Sequence, residues 1–125
     1  MIQEEKDLLL KDLCARLPYE VKVCCYKVDY NKTPLLYDNE TLVGVVGDNI
    51  ITENDTFSSE RVRPYLRPMS SMTKEEYIYL KQLNEDGTHY EVIDFCNERH
   101  LDYRGLIEKE LALEAKDGMY SNKEE

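Results

Sequence analysis

Arg61-Val-Arg-Pro-Tyr-Leu-Arg-Pro-Met-Ser-Ser-Met-Thr-Lys-Glu-Glu-Tyr-Ile-Tyr-Leu-Lys-Gln-Leu83 separates two kinds of sequence. Before it, β-branched and aromatic residues come in short runs broken by Asn, Asp and Gly. After it, apolar residues recur at helical spacing. The change happens inside the stretch. Residues 61–66 read as extended, with Pro64 marking an edge strand or a break. Thr73-Lys-Glu-Glu76 has the spacing of a capping box, in which the threonine oxygen caps the amide three residues on and the glutamate reaches back. Met72 and Tyr77 stand where a hydrophobic staple would hold that start. The helix is expected to run to about Leu83, with Tyr77, Leu80 and Leu83 inward.

Upstream, Leu10, Leu13, Cys14 and Leu17 predict an amphipathic helix over residues 3–16. Glu4, Glu5 and Asp7 at its start and Arg16 at its end suit the helix dipole, and Pro18 stops it. Residues 20–28 read as a strand with apolar groups on both faces, which predicts a central position or a bulge. A turn at 31–34, a short strand at 35–37 and a turn at Asp38-Asn39 follow. Residues 41–46 make a further strand, and Gly47-Asp48 is the hairpin turn into residues 49–52. Gly44 marks a bulge or a close backbone approach. Residues 53–60 read as a polar loop.

Downstream, Thr88-His-Tyr-Glu91 repeats the capping-box spacing and predicts a helix over 89–100, with Val92, Ile93, Phe95 and Cys96 on its apolar side. Asp102 is placed to cap a third, shorter helix through Leu106 and Ile107. Leu111-Ala-Leu-Glu-Ala115 reads either as a continuation of that helix or as a last short strand. The expected fold is a single α+β domain over residues 1–115: an N-terminal helix, a small antiparallel β-meander and two to three C-terminal helices. Residues 116–125 are polar and are expected to fray.

Twenty-six acidic residues against 16 basic ones give a net charge of -10, which argues against a broad affinity for nucleic acid or an anionic membrane. Four of the bases, and no acid, fall between Arg61 and Lys74, leaving -14 on the rest of the chain. The acidic N-terminus does not resemble a signal peptide, and no run approaches the roughly 20 apolar residues of a membrane span. A cytoplasmic protein with reduced thiols is therefore expected.

Under that expectation Cys14, Cys24, Cys25 and Cys96 are not disulfide partners. No Cys-x-x-Cys occurs, and the adjacent Cys24 and Cys25 point to opposite sides of a strand, so neither metal nor cofactor is predicted. Cys96 and His100, four apart on a helix, are the one arrangement from which an enzyme can be drawn. It requires a lowered thiol pKa. Cys96 instead lies beside Phe95 on an apolar stripe, where a thiol is inert. With no other catalytic motif, no enzymatic activity is expected.

Ten tyrosines against two phenylalanines and no tryptophan is a skewed aromatic set, of a kind enriched where proteins meet other proteins. Tyr79 is expected on the outer side of its helix. Arg61, Arg63, Tyr65 and Arg67 form the candidate binding site. In an extended chain the first three share a face, and an exposed edge of this kind suits a phosphate, an acidic peptide or single-stranded nucleic acid. The competing account is internal, with the arginines answering nearby carboxylates and pinning the meander to the helices.

Three blocks carry a resemblance: Asp12-Leu-Cys-Ala-Arg-Leu-Pro-Tyr19, Pro64-Tyr-Leu-Arg-Pro-Met-Ser-Ser-Met-Thr73, and His100-Leu-Asp-Tyr-Arg-Gly-Leu-Ile-Glu-Lys109 with Leu111-Ala-Leu-Glu-Ala115. Together they resemble a family of short proteins encoded by gut bacteria and their tailed phages or integrated elements, for which no activity is known. Two departures stand out: the family has Gly where Glu110 stands, and tends to have Pro where Lys116 stands. The resemblance implies a small phage or mobile-element protein and no particular chemistry. The expected function is a non-catalytic interaction module with a protein partner. Nucleic-acid binding through the Arg61 to Arg67 edge and a thiol or metal-dependent enzyme at Cys96 and His100 are the alternatives.

Overall fold

Gln3–Arg16 forms helix α1 and a 3-10 turn at Leu17–Tyr19 follows it, in a computed structural model that describes residues 1–120. Six strands come next or last in the chain: β1 (Lys22–Val28), β2 (Pro34–Val46), β3 (Asn49–Thr52), β4 (Thr56–Ser58), β5 (Val62–Leu66) and β6 (Leu113–Glu114). Between β5 and β6 lie helices α2 (Lys74–Asp86) and α3 (His89–Glu98). The strand order is β4-β3-β2-β1-β5-β6, antiparallel throughout except for the parallel β5-β6 pair. The molecule is one α+β domain, and its sheet is larger than the small meander that was expected.

Both capping boxes form as read. Thr73 Oγ accepts the amide of Glu76 at 3.1 Å and the Glu76 carboxylate accepts the amide of Thr73 at 2.9 Å. The Thr88 and Glu91 pair repeats this at 3.2 and 2.8 Å. Tyr77 does not turn inward as a staple partner. It is exposed, while Met72 packs with Leu80, Phe95, Cys96 and Leu101 in a small core between α2 and α3.

β1 is central, the first of its two expected readings, and the bulge lies on its neighbour β2. Asp38-Asn39 is that bulge rather than a turn between two strands. Register slips between Val23 and Cys25, and Asn39 takes a left-handed φ of 56° that asparagine tolerates. Residues 34–46 are therefore one long strand. A second slip falls between Leu42 and Gly44, where the glycine was read as a bulge. The 53–60 segment is not all loop. Phe57, its lone large apolar residue, is buried in β4 and meets the Tyr37 ring edge-on at 5.2 Å.

α1 has the expected ends but a different inward face. Leu9, Asp12, Leu13 and Arg16 are buried, whereas Cys14 is exposed. Apolar periodicity misplaced the stripe because half of the true one is charged. Arg16 Nε donates to Asp12 Oδ2 at 2.8 Å and its Nη2 to the Leu101 carbonyl at 2.7 Å, both carboxyl and guanidinium being 0% exposed. Leu9 and Leu13 meet Val23, Cys25, Val62 and Leu66 from the sheet in the main core, each full burial of such a side chain contributing about 2 kcal/mol.

No third C-terminal helix forms. Residues 102–111 make successive turns, held by the Asp102 carboxylate, which accepts the amides of Leu106 and Ile107 at 2.7 and 3.0 Å. The cap was legible, but Gly105 at φ 72° and Glu110 at φ 62° turn the backbone out of a helix. Of the two readings of residues 111–115, the strand is the one observed. Residues 116–120 are docked rather than frayed. Tyr120 Oη accepts the Lys22 amide at 2.7 Å and donates to the Tyr65 carbonyl at 2.7 Å. Residues 121–125 of the expected tail lie outside the described residues.

Candidate interaction surface

β5 brings the sequence-predicted site residues to one row, but not to an edge. Val62, Arg63 and Pro64 pair with Cys25, Cys24 and Val23 of β1, and Tyr65 and Leu66 pair with β6. Arg67 continues the line through a bridge to Leu101. Pro64 lacks an amide to donate, and the β6 pairing begins only after it. The strand was read as an edge or a break because of Pro64; its second neighbour is two residues long and lies about fifty residues away, where local sequence does not reveal it.

The four residues have different surroundings. Tyr65 is 5% exposed, and its hydroxyl donates to Asp38 Oδ1 at 2.5 Å across β1. Arg67 makes a two-pronged pair with Glu76, at 2.9 and 2.6 Å, and also donates to the Ser71 carbonyl. This pins the end of β5 to the first turn of α2, as the internal account supposed. The Arg67 guanidinium holds the Glu76 carboxyl below the usual carboxylate range, with the Thr73 amide and Arg99 adding to it. Arg61 and Arg63 are half-buried and meet no carboxylate among the described residues. The Arg61 guanidinium sits over the Tyr26 ring, 5.7 Å from its centre. Arg63 donates to the carbonyls of Glu110 and Val62 at 3.1 and 2.8 Å.

Arg61 and Arg63 stand on the face of the sheet opposite α1. Residues opposed in a ladder share a face. Arg63 is opposite Cys24, Tyr26 is opposite Leu36, and Val28 is opposite Pro34. The inward row of β1, Val23 and Cys25, is fully buried. The outward row is open: Tyr26 is 41%, Val28 39% and Leu36 70% exposed, and Leu113 of β6 is 38% exposed. Val43 and Val46, farther along β2, are exposed as well. Of these, Tyr26, Val28 and Leu36 are neighbours in the ladder, and a group of exposed apolar side chains on one sheet face marks a candidate contact surface. Lys116 bridges to Asp38 at 2.5 Å beside the Tyr65 ring, so this carboxylate is already neutralised. Lys116 and the Tyr65 hydroxyl together hold the Asp38 carboxyl below its usual value.

A groove of about 1010 Å³ opens between α2, α3 and residues 114–120, with Arg67, Glu76, Tyr79, Arg99 and Tyr120 on its walls. Its cations are engaged internally: Arg67 and Arg99 both answer Glu76. Tyr79 is half exposed, as expected, and its ring leans on Phe95 at 5.1 Å.

The cysteine and histidine pair does not assemble on a helix. α3 ends at Glu98, and His100 lies beyond it in a left-handed turn at φ 61°, stacked on Tyr120 at 3.8 Å. Cys96 is buried, and burial pushes its thiol up despite the opposing charge of Arg16. Cys25 behaves likewise, its thiol pushed up to about 12. Among the described residues no three His, Cys, Asp or Glu side chains converge as metal ligands, and no helix is long and apolar enough to cross a membrane. Comparison with protein-family models, curated proteins and solved structures finds no match to the chain.

Proposed function

We propose that the chain is a non-catalytic protein-interaction module that works through the helix-free face of its sheet. One observation carries the reading: Tyr26, Val28 and Leu36 lie exposed as neighbours on the sheet face opposite α1, which no helix covers among the described residues. Leaving such a face open costs solubility and invites association, a cost that a binding role offsets. The setting in a phage or mobile element rests on the resemblance of the three sequence blocks and on nothing else. The cytoplasmic assignment likewise rests on sequence.

A photo-crosslinking amino acid at Leu36, with a control at the exposed Glu85 on α2, tests the reading in the native host cell. The expected result is a discrete adduct from Leu36 and none from Glu85. Equal labelling from both positions, or no adduct from Leu36, counts against the helix-free face as a binding surface.

A further inference from the structure

We propose that the occupant of this face is an acidic, aliphatic protein segment whose carboxylates pair with Arg61 and Arg63 while its apolar side chains lie on Tyr26, Val28 and Leu36; the proposal rests on the interaction-module reading. The first argument is charge. The chain has six arginines. Arg16, Arg67, Arg99 and Arg104 each stand within 4 Å of a carboxylate. Arg61 and Arg63 do not, among the described residues, although acids outnumber bases by 26 to 16. Both unanswered arginines are on the open face, and both are held in place, Arg63 by two carbonyls and Arg61 by the Tyr26 ring. Arg63 still has N–H groups to donate. A guanidinium fixed in this way loses little freedom on meeting a carboxylate.

The second argument separates a protein from a nucleic acid. Single-stranded nucleic acid is held by bases stacking on open aromatic faces. Here Tyr65 is buried, and one side of the Tyr26 ring is taken by the Arg61 guanidinium, which leaves its edge and other side for apolar contact rather than for a sandwiched base. Beside Tyr26 the open side chains of this row are aliphatic, Val28 and Leu36, and the one fully exposed aromatic near them, Tyr30, lies beyond the strand in the β1-β2 turn. A long polyanion would also meet the repulsion of an otherwise acidic molecule along its whole length, whereas a short segment places its carboxylates only at the arginines.

The test measures fluorescence polarisation of three labelled probes against the full chain: a peptide of glutamate and leucine, its lysine and leucine counterpart, and an oligothymidylate. The glutamate peptide is expected to bind, and the Arg61→Gln/Arg63→Gln variant to weaken it about tenfold, as does a rise in salt. Leu36→Ser weakens it as well. Circular dichroism checks that each variant folds, and Arg61→Lys/Arg63→Lys, which keeps charge but loses the planar fork, is expected to fall between. Equal or tighter binding of the lysine peptide overturns the proposal, as does binding of the oligothymidylate alone. Absence of glutamate-peptide binding at about millimolar concentration overturns it too. In that last case a Leu36 crosslink still stands for the interaction reading, so failure of the partner chemistry is told apart from failure of the surface.

Discussion

Mild acid should weaken this fold through one residue, His100. Its ring is buried against Tyr120, stacked at 3.8 Å with planes 15° apart, and its buried Nδ1 has no hydrogen-bond partner among the described residues. A second ring proton would therefore be stranded. Burial, with the positive charges of Arg16 and Arg67 nearby, lowers the pKa from 6.5 to about 4. The unfolded chain then binds the proton more readily than the folded one across the interval between these values. Stability is fully present above pH 6.5 and is lost as pH falls toward 4.

Between about pH 7 and about pH 5.2 the linkage amounts to roughly 1.6 kcal/mol. With a urea dependence of about 1.5 kcal/mol/M, the unfolding midpoint should drop by about 1 M. The window stays above the ordinary range of carboxylates, so loss of the Asp38 and Glu76 pairs, whose pKa values are lowered, falls mostly below it. His100→Asn keeps a residue that tolerates the left-handed φ of 61° and removes the titration. Its midpoint should be lower than wild type at neutral pH but flat across the window. A wild-type midpoint that does not move, or a His100→Asn midpoint that still does, would refute the argument.

Three further outcomes are expected from thermal or urea unfolding. Glu110→Gly should raise stability by about 0.5–1 kcal/mol, because Glu110 sits at φ 62° where a side chain is strained and its carbonyl contact with Arg63 survives the change; a lower midpoint refutes this. Asp12→Asn should cost about 3–5 kcal/mol, since Asp12 lies buried between Arg16 at 2.8 Å and Arg104 at 3.0 Å and its loss strands a buried guanidinium. Pairing it with Arg16→Met should restore part of that loss, and a double variant worse than the single one rejects the account. Tyr120→Phe should cost about 1–3 kcal/mol by leaving the Lys22 amide and the Tyr65 carbonyl unanswered, and a neutral substitution would mean that water replaces the hydroxyl.

Features set by nearby residues were legible in the sequence. α1 has its expected ends, both capping boxes form, and Gly47-Asp48 turns the β2-β3 hairpin. What failed depended on distant partners or on charge inside the core. Asp12 and Arg16 count as polar in any periodicity, yet they face inward because Arg104 and the Leu101 carbonyl, some ninety residues away, satisfy them. Asp38-Asn39 has the composition of a turn, and only the fixed registers of β1 on either side show it to be a bulge. Phe57 has no apolar neighbour in sequence to mark its strand. Residues 116–120 look like tail because Tyr120, the one that anchors them, finds its partners on β1 and β5.

The candidate site divides along the same line. Reading residues 61–66 as extended holds from Val62 on and places Arg63 and Tyr65 on one face, because alternation along a strand is local; Arg61 instead ends a 3-10 turn, Ser59–Arg61, and reaches that side through the Tyr26 ring. Whether that face is open is a property of the other strands and helices, and it differs residue by residue. Tyr65 is covered because residues 113–120 return beside β5, carrying Lys116 to Asp38 above its ring. Arg67 is engaged because Glu76, whose sequence role is to cap α2, has a second use as its partner. Among the described residues Arg61 and Arg63 have no such claimant, and their neighbours Tyr26, Val28 and Leu36 come from β1 and β2, which no reading of the 61–83 stretch alone could supply. The four-residue motif thus resolves into two halves with opposite uses. Tyr65 and Arg67 hold the sheet to its C-terminal segments, while Arg61 and Arg63 are the half that the proposed reading assigns to a partner. Substitutions in the first half should therefore lower the unfolding midpoint, and substitutions in the second should lower it far less and act mainly on binding.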